Sequence, residues 1–356
     1  MPGNARYRAR LATLDPPSRV AALRDAVALN PYYSAGWIEL GLRAEMSRDF
    51  ETAERCLLQA AKVDKTYQPR WTLANYYFRR DDRKEFWVWA GEAAAMAYQD
   101  QTALFELCWR ATEDPRVILQ RVLPERRDVI AQYLSYLMRS GRLEAAEPVA
   151  ARLLDQGDRS DRGLLFNYCD RLLEEGRAEA AVRLWNSLTE KGFIPYPALA
   201  PEHGDSLTNG DFRSDPVLHG FDWRFHLPGG VSLSRLRAPP TLKVTFTGGQ
   251  PERLRVIEQI LPLEPSRHYR LRFEYRASGI APGSGPRWEI ADAASGKPLS
   301  PSPADLFEQD WAEELLTFST PPGVRLGRLS LIYQRVPGTT RIEGSVFLRL
   351  VSLDLQ

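Results

Sequence analysis

No apolar run in this sequence approaches the roughly 18–20 residues that a bilayer-spanning helix needs. The opening stretch Met1–Pro17 carries Arg6, Arg8 and Arg10 with no apolar core behind them, so neither an export signal nor an anchor is visible. The expected location is the cytoplasm, or the cell envelope and periplasm if the true start or an anchor lies upstream. Charge of one sign is lacking too: 47 Lys and Arg face 46 Asp and Glu, split 29 to 28 over residues 1–200 and 18 to 18 beyond. Nucleic-acid binders draw their affinity from clustered cations, so this balance argues against a nucleic-acid partner. Cysteine is scarce, and Cys56, Cys108 and Cys169 lie far apart with no Cys-x-x-Cys, which leaves neither a disulfide framework nor a zinc pattern. His203, His219, His226 and His268 match no metal spacing. Gly-x-Ser-x-Gly, His-Glu-x-x-His, a Walker loop and a dinucleotide fingerprint are all missing. The adjacent carboxylates Glu313 and Glu314 would face opposite ways in a strand. The chain therefore reads as non-enzymatic, without cofactor or metal.

What the sequence does contain is a repeat. Trp37-x-x-Leu40-Gly41-x-x-Ala44 is followed by Ala53, Leu57 and Ala60, and Trp71-x-x-Ala74-Asn75-x-x-Phe78 restarts the frame 34 residues later. A second pair runs Ile130-x-x-Tyr133-Leu134-x-x-Leu137 with Gly141, Ala146 and Ala150, then Leu165-x-x-Tyr168-Cys169-x-x-Leu172 with Gly176, Ala181 and Trp185. A bulky residue on one helix facing small ones on its partner lets two antiparallel helices approach closely. Each such hairpin buries one side only, so hairpins must stack. Between Gln101 and Glu125 the frame falters around Asp114-Pro115, which predicts a degenerate repeat. Pro148 predicts a kink in its helix. Phe86, Trp87 and Trp89, at helical spacing, are expected in the packing between helices.

In period and in its large–small alternation, this region resembles the tetratricopeptide repeat family over about residues 18–191. That resemblance implies a helical solenoid whose concave groove binds a protein or peptide. Taking Trp37, Trp71, Ile130 and Leu165 as equivalent, it places Glu39, Glu45, Tyr76, Arg79, Arg80, Gln132, Asn167 and Asp170 on the groove side. Ile38 and Leu42 stand at the positions of the family's carboxylate clamp, so clamp-type binding is not implied.

The texture changes at Gly192. Gly192-Phe-Ile-Pro-Tyr-Pro-Ala-Leu-Ala-Pro-Glu-His-Gly204 halts helices, and 16 of the 26 prolines follow residue 200. Alternation takes over in Tyr269-x-Leu271-x-Phe273-x-Tyr275, Leu242-x-Val244-x-Phe246 and Leu329-x-Leu331-x-Tyr333, the pattern of half-buried strands. About eight such segments predict an antiparallel β-sandwich of jelly-roll type. Leu207-Thr-Asn-Gly-Asp-Phe212 with Trp223, then Tyr269–Ser278, Trp311 before Leu315 and Phe318, and a closing Gly344-x-Val346-Phe-Leu-x-x-Val351-x-Leu353 follow one another in an order similar to xylanase-type carbohydrate-binding modules and galactose-binding-like domains. The resemblance implies sugar recognition by an exposed ring with hydrogen-bonding partners, for which Trp288, Arg276, Gln334 and Arg335 are the candidates. Trp223 and Trp311 are expected in the interior. The calcium common in such modules is not expected here, because Arg349 and Leu350 occupy the place of its acidic pair.

The sequence thus predicts a multidomain α plus all-β chain. A tetratricopeptide-like solenoid occupies residues 1–191, a proline-rich linker 192–204 and the sandwich 205–356. The expected function is that of a non-enzymatic adaptor whose groove holds a protein or peptide and whose sandwich is a second interaction module, in a setting such as bacterial surface-polysaccharide assembly. The alternative is a carbohydrate-binding protein acting through the sandwich, with the helices as a spacer; a glycoside-processing enzyme is the third possibility.

Overall fold

The structure, a computed structural model, describes residues 19–283, 285–300 and 304–356. Met1–Pro17 and Ser284 of the Gly283–Pro286 turn lie outside the described residues. The chain divides into two compact units between Gln156 and Gly157.

In the first unit nine helices are described: α1 Arg19–Leu29, α2 Ser34–Met46, α3 Phe50–Val63, α4 Tyr67–Arg79, α5 Arg83–Met96, α6 Thr102–Ala111, α7 Pro115–Arg121, α8 Arg127–Arg139 and α9 Leu143–Gln156. Short polar residues start several of them, as unpaired amides at a helix N-terminus demand. Asp49 accepts from the Thr52 amide, Asp82 from that of Glu85 and Asp114 from that of Arg116. The stops are equally regular. Arg48, Asp81 and Gly141 each follow the first helix of a hairpin in the left-handed backbone region, at φ 61°, 55° and 70°. Only the last of these is the glycine that such a C-terminal position favours.

Helices α2 and α3, α4 and α5, and α8 and α9 pack as hairpins, and α2 meets α4, α4 meets α6 and α6 meets α8. The first helices therefore form one continuous layer. The faltering stretch is the short α6–α7 pair, with Pro115 in the first turn of α7. Helix α9 runs on through Pro148, and Phe86 and Trp87 are buried. Close approach is visible at Gly41, where a Cβ would sit 2.7 Å from Leu57 Cδ2 and 3.1 Å from the Ala53 carbonyl oxygen. Gly41→Leu should accordingly cost about 1–3 kcal/mol or more by overpacking, read as a loss of about 5 °C in Tm. An unchanged Tm would contradict the hairpin geometry.

The second unit begins with two more helices, α10 Arg162–Glu174 and α11 Ala178–Glu190. Gly176 closes α10 in the left-handed region, φ 69°, at the position Gly141 holds after α8. The stretch 192–204 is no free linker: Phe193, Ile194, Tyr196 and Leu199 are buried. Asn186 of α11 both accepts from the Leu199 amide and donates to its carbonyl, each at 2.8 Å.

Among the described residues ten strands follow: β1 Arg224–Phe225, β2 Val231–Arg237, β3 Pro240–Thr247, β4 Arg253–Pro262, β5 His268–Ser278, β6 Arg287–Asp292, β7 Ala304–Asp305, β8 Ala312–Ser319, β9 Leu326–Gln334 and β10 Glu343–Leu355. They form two five-stranded antiparallel sheets, ordered β1-β4-β9-β6-β7 and β2-β3-β10-β5-β8. Eight are six residues or longer, and β1 and β7 have two residues each; β3 and β5 alternate as expected, whereas β9 is buried on both faces over most of its length. The inward rows fill the sandwich with Phe212, Trp223, Leu271, Phe273, Trp288, Leu331 and Val346 among others.

One buried carboxyl sits at the junction of helix pair and sandwich. Asp222, 0% exposed, accepts from Tyr196 Oη at 2.7 Å and from the Val217 amide at 2.5 Å, while its second oxygen has no hydrogen-bond partner. Burial, the largest influence, pushes its carboxyl above the usual aspartate value against these hydrogen bonds. The folded state then holds the proton more tightly than the unfolded chain, so the group's contribution to stability falls as pH rises through its folded value. Relative to Asp222→Asn, which does not titrate, the wild type should gain Tm as buffer is lowered from about pH 7 to about pH 4. A pH-independent difference would refute this assignment.

Candidate binding site

In the first unit the structure brings Glu45 and Arg79 together. Lying 34 residues apart, they form a two-pronged ion pair, both N–H···O distances 2.7 Å, linking consecutive first helices. Tyr76 is buried and donates to the Phe50 carbonyl at 3.0 Å, and the Arg80 guanidinium lies 3.8 Å from the Phe50 ring centroid. Glu39 accepts from Arg43 of its own helix at 2.8 Å. Gln132 is half-buried, its Oε1 without a hydrogen-bond partner. These groups are mostly engaged in joining helices.

What the first-helix layer leaves open is apolar. A groove of about 470 Å³ is lined by Ala35, Ile38, Leu42 and Met46 of α2, with Gln68 and the Glu39–Arg43 pair at its margin. Met46 is 84% exposed and Leu42 36%, though apolar side chains normally fill the core stripe of a helix. The i, i+4, i+8 spacing of Ile38, Leu42 and Met46 was available in the sequence, beside the core stripe that drew attention first.

Asn167 and Asp170 belong to the second unit. Asn167 is exposed, but Asp170 is not available to a groove ligand. It accepts from the Gly220 amide at 2.8 Å and from Arg224 Nη2 at 2.6 Å, and its other oxygen lies 2.6 Å from His219 Nδ1. The carboxylate thus fastens α10 to the loop and strand that open the sandwich. A cleft of about 610 Å³ beside it contains Arg224, Glu258 and Arg328, with the charges already matched: Glu258 lies 3.2 Å from Arg255 and 3.6 Å from Arg328.

Trp223 is buried as expected, but Trp288 and Trp311 exchange the places expected of them. Trp288 is 0% exposed, its ring centroid 6.1 Å from that of Trp223 and 6.2 Å from that of Phe273. It shares the inward parity of Ile290 on β6 and cannot stack on a sugar. Gln334 ends β9 in the same sheet and Arg335 follows it; Gln334 accepts from Arg287 at 3.4 Å, and Arg335 pairs with Glu252 at 2.9 Å. Of the four candidates only Arg276 lies on the outer face of the second sheet, and there Trp311, expected inside, is half-exposed.

That face carries a row built by register. Phe347 of β10 pairs with Lys243 of β3 on one side and with Arg276 of β5 on the other. Ala312 opposes Tyr275, which puts Trp311 beside Arg276. Lys243 Nζ lies 5.4 Å and Arg276 Cζ 4.5 Å from the Phe347 ring centroid, and Arg349 Cζ lies 3.6 Å from that of Trp311. Attraction between cation and ring quadrupole holds such pairs. Strand parity could have found the row, since Leu316 and Phe318 point inward, as do Val346 and Leu348, leaving 311 and 347 outward.

Arg349 thus caps the Trp311 ring. Among the described residues no three His, Cys, Asp or Glu side chains come together as a metal site. Glu313 and Glu314 diverge: Glu313 is exposed, whereas Glu314 accepts from Tyr275 Oη at 2.9 Å. The three cysteines are buried and unpaired, and burial pushes the thiols of Cys108 and Cys169 well above the usual range, which leaves them unreactive.

No protein-family model and no curated protein matches this chain. Among solved structures it is similar to one described as "CBM4 structure and function", at 17% identity and TM-score 0.32, over 42% of this chain and 100% of that one. It is also similar to the CBM22-1 xylan-binding domain from Paenibacillus barcinonensis Xyn10C, at 13% identity and TM-score 0.27, over 41% of this chain and 91% of that one. YrrB, a TPR protein with an unusual peptide-binding site, matches at 16% identity and TM-score 0.25, over 48% of this chain and 92% of that one. Its structural neighbours therefore include both a tetratricopeptide protein and carbohydrate-binding modules, the two families that its two parts resemble in sequence.

Proposed function

We propose that this chain is a non-catalytic adaptor whose first-helix layer holds a peptide segment by an apolar anchor. The observation behind this reading is the Ile38–Leu42–Met46 strip, open to solvent between α2 and α4. An anchor side chain buried there gains about 1.5–3 kcal/mol from apolar contact, and the Glu39–Arg43 pair offers polar partners at the rim. Panning a random phage-displayed peptide library against the full chain tests it. The expected selection is of peptides rich in apolar anchors whose affinity falls about tenfold or more in Leu42→Glu/Met46→Lys. Selected peptides that bind this variant unchanged would place the binding surface elsewhere.

The sandwich supports a second reading, a saccharide-binding module, favoured by the half-buried Trp311 and Phe347 on one sheet face with Arg276 between them. Aromatic faces contact sugar C–H groups while guanidinium donors reach hydroxyls. A role in bacterial surface-polysaccharide assembly is the setting in which both modules would serve one task, the helices holding a protein component and the sandwich its polymer.

A further inference from the structure

We infer that the outer face of the second sheet binds an acidic polysaccharide, whose oxyanion is held between Arg276 and Lys243 above Phe347; this rests on the saccharide reading of the sandwich. The charge inventory of the row carries the argument. Arg349 has a carboxylate within reach, Glu274 at 3.4 Å. Arg276 and Lys243 have none among the described residues, and their close contacts are with rings. Burying the flank of a guanidinium against an aromatic ring strips part of its hydration without neutralising it; the Nε of Arg276 is buried without a partner, which leaves the terminal Nη groups to make a two-pronged oxyanion contact. Two cations on either side of one ring thus form a preorganised, uncompensated positive site on a chain that is otherwise nearly charge-balanced. The exposed Glu308 and Asp310 precede Trp311, which favours the Phe347 end of the row for the negative group. A neutral sugar would gain only hydrogen bonds from the Lys243 ammonium, whereas a uronate stacked along the row meets both cations.

Affinity electrophoresis of the full chain through gels containing polygalacturonate, carboxyl-reduced polygalacturonate, xylan or polyglutamate tests this. Polygalacturonate should retard the protein in a salt-sensitive manner, and the other three should leave its mobility unchanged. Arg276→Ala and Lys243→Ala should each weaken the interaction about tenfold or more, Arg276→Gln should behave like Arg276→Ala, and Arg270→Ala on the same strand should retain it. All three side chains lie on the outer face, so Tm should hold in every variant. Retardation by xylan or by the carboxyl-reduced polymer equal to that by polygalacturonate overturns acid recognition and leaves the saccharide reading standing. Mobility unchanged in every polysaccharide overturns both. Retardation by polyglutamate as strong as by polygalacturonate assigns the face to acidic peptides and overturns the inference.

Discussion

Trp185→Ala should unfold the second unit at markedly lower denaturant, with a loss of about 3–5 kcal/mol. The indole is fully buried, and its ring centroid lies 6.1 Å from that of Tyr196 and 5.9 Å from that of Phe221. A Cβ on Gly220 would come within 2.3 Å of it, so no neighbouring backbone has slack to refill the space. Truncation leaves a large cavity between α10–α11 and the entry to the sandwich, and the cost of such a cavity rises with the volume left unfilled. Limited proteolysis gives a second reading, because the stretch 192–204, packed down by Tyr196 and Leu199, should become cleavable in the variant. Trp185→Phe should recover part of the loss. A midpoint shift below about 1 kcal/mol would mean that this ring does not hold helices and sandwich together.

Gly210→Ala should be nearly as damaging, although it adds one methyl group. Its Cβ would lie 2.0 Å from the Val351 carbonyl oxygen, a backbone atom, and 2.5 Å from Leu207 Cδ2. The Val351 amide in turn donates to the Gly210 carbonyl at 2.8 Å, so relieving the clash breaks the contact between the opening loop and β10. Asn209 spans the same loop through Ser214, accepting at 3.2 Å and donating at 3.0 Å, and Trp223 Nε1 donates to the Asn209 carbonyl at 3.0 Å. The whole Asn-Gly-Asp-Phe turn would therefore shift, with a cost of about 3 kcal/mol or more. Gly229→Ala is the control: nothing lies within 4 Å of its added Cβ, and its effect should stay within about 0.5 kcal/mol. Urea midpoints of the two variants separate the outcomes, and equal midpoints would remove the structural role assigned to the turn.

The Leu207–Phe212 motif shows how far the sequence could be read. It located the start of the sandwich, yet its glycine is there for a carbonyl 141 residues away, at Val351. The groove residues show the same limit. Glu45 and Arg79 were legible as residues on one face because helical spacing fixes a face. That they would neutralise each other across the repeat period follows only once two hairpins are stacked. Asp170 had the right helix and the wrong neighbours, since its partners Gly220 and Arg224 lie past the end of the repeats.

Helix and strand texture, the 34-residue frame and the turn at Gly192 were set by the sequence alone, because they arise from contacts among residues near one another in the chain and recur with a period. Strand parity belonged to that local record as well, though the places expected of Trp288 and Trp311 came from likeness to sugar-binding modules and not from parity, and the structure reversed them. Only the folded chain decided the joining of α10 to the sandwich and the alignment of Lys243, Phe347 and Arg276 across three strands with Trp311 just before β8. Pairing between distant segments is fixed by how whole sheets and helices bury their apolar faces together, and that leaves no periodic trace in either segment.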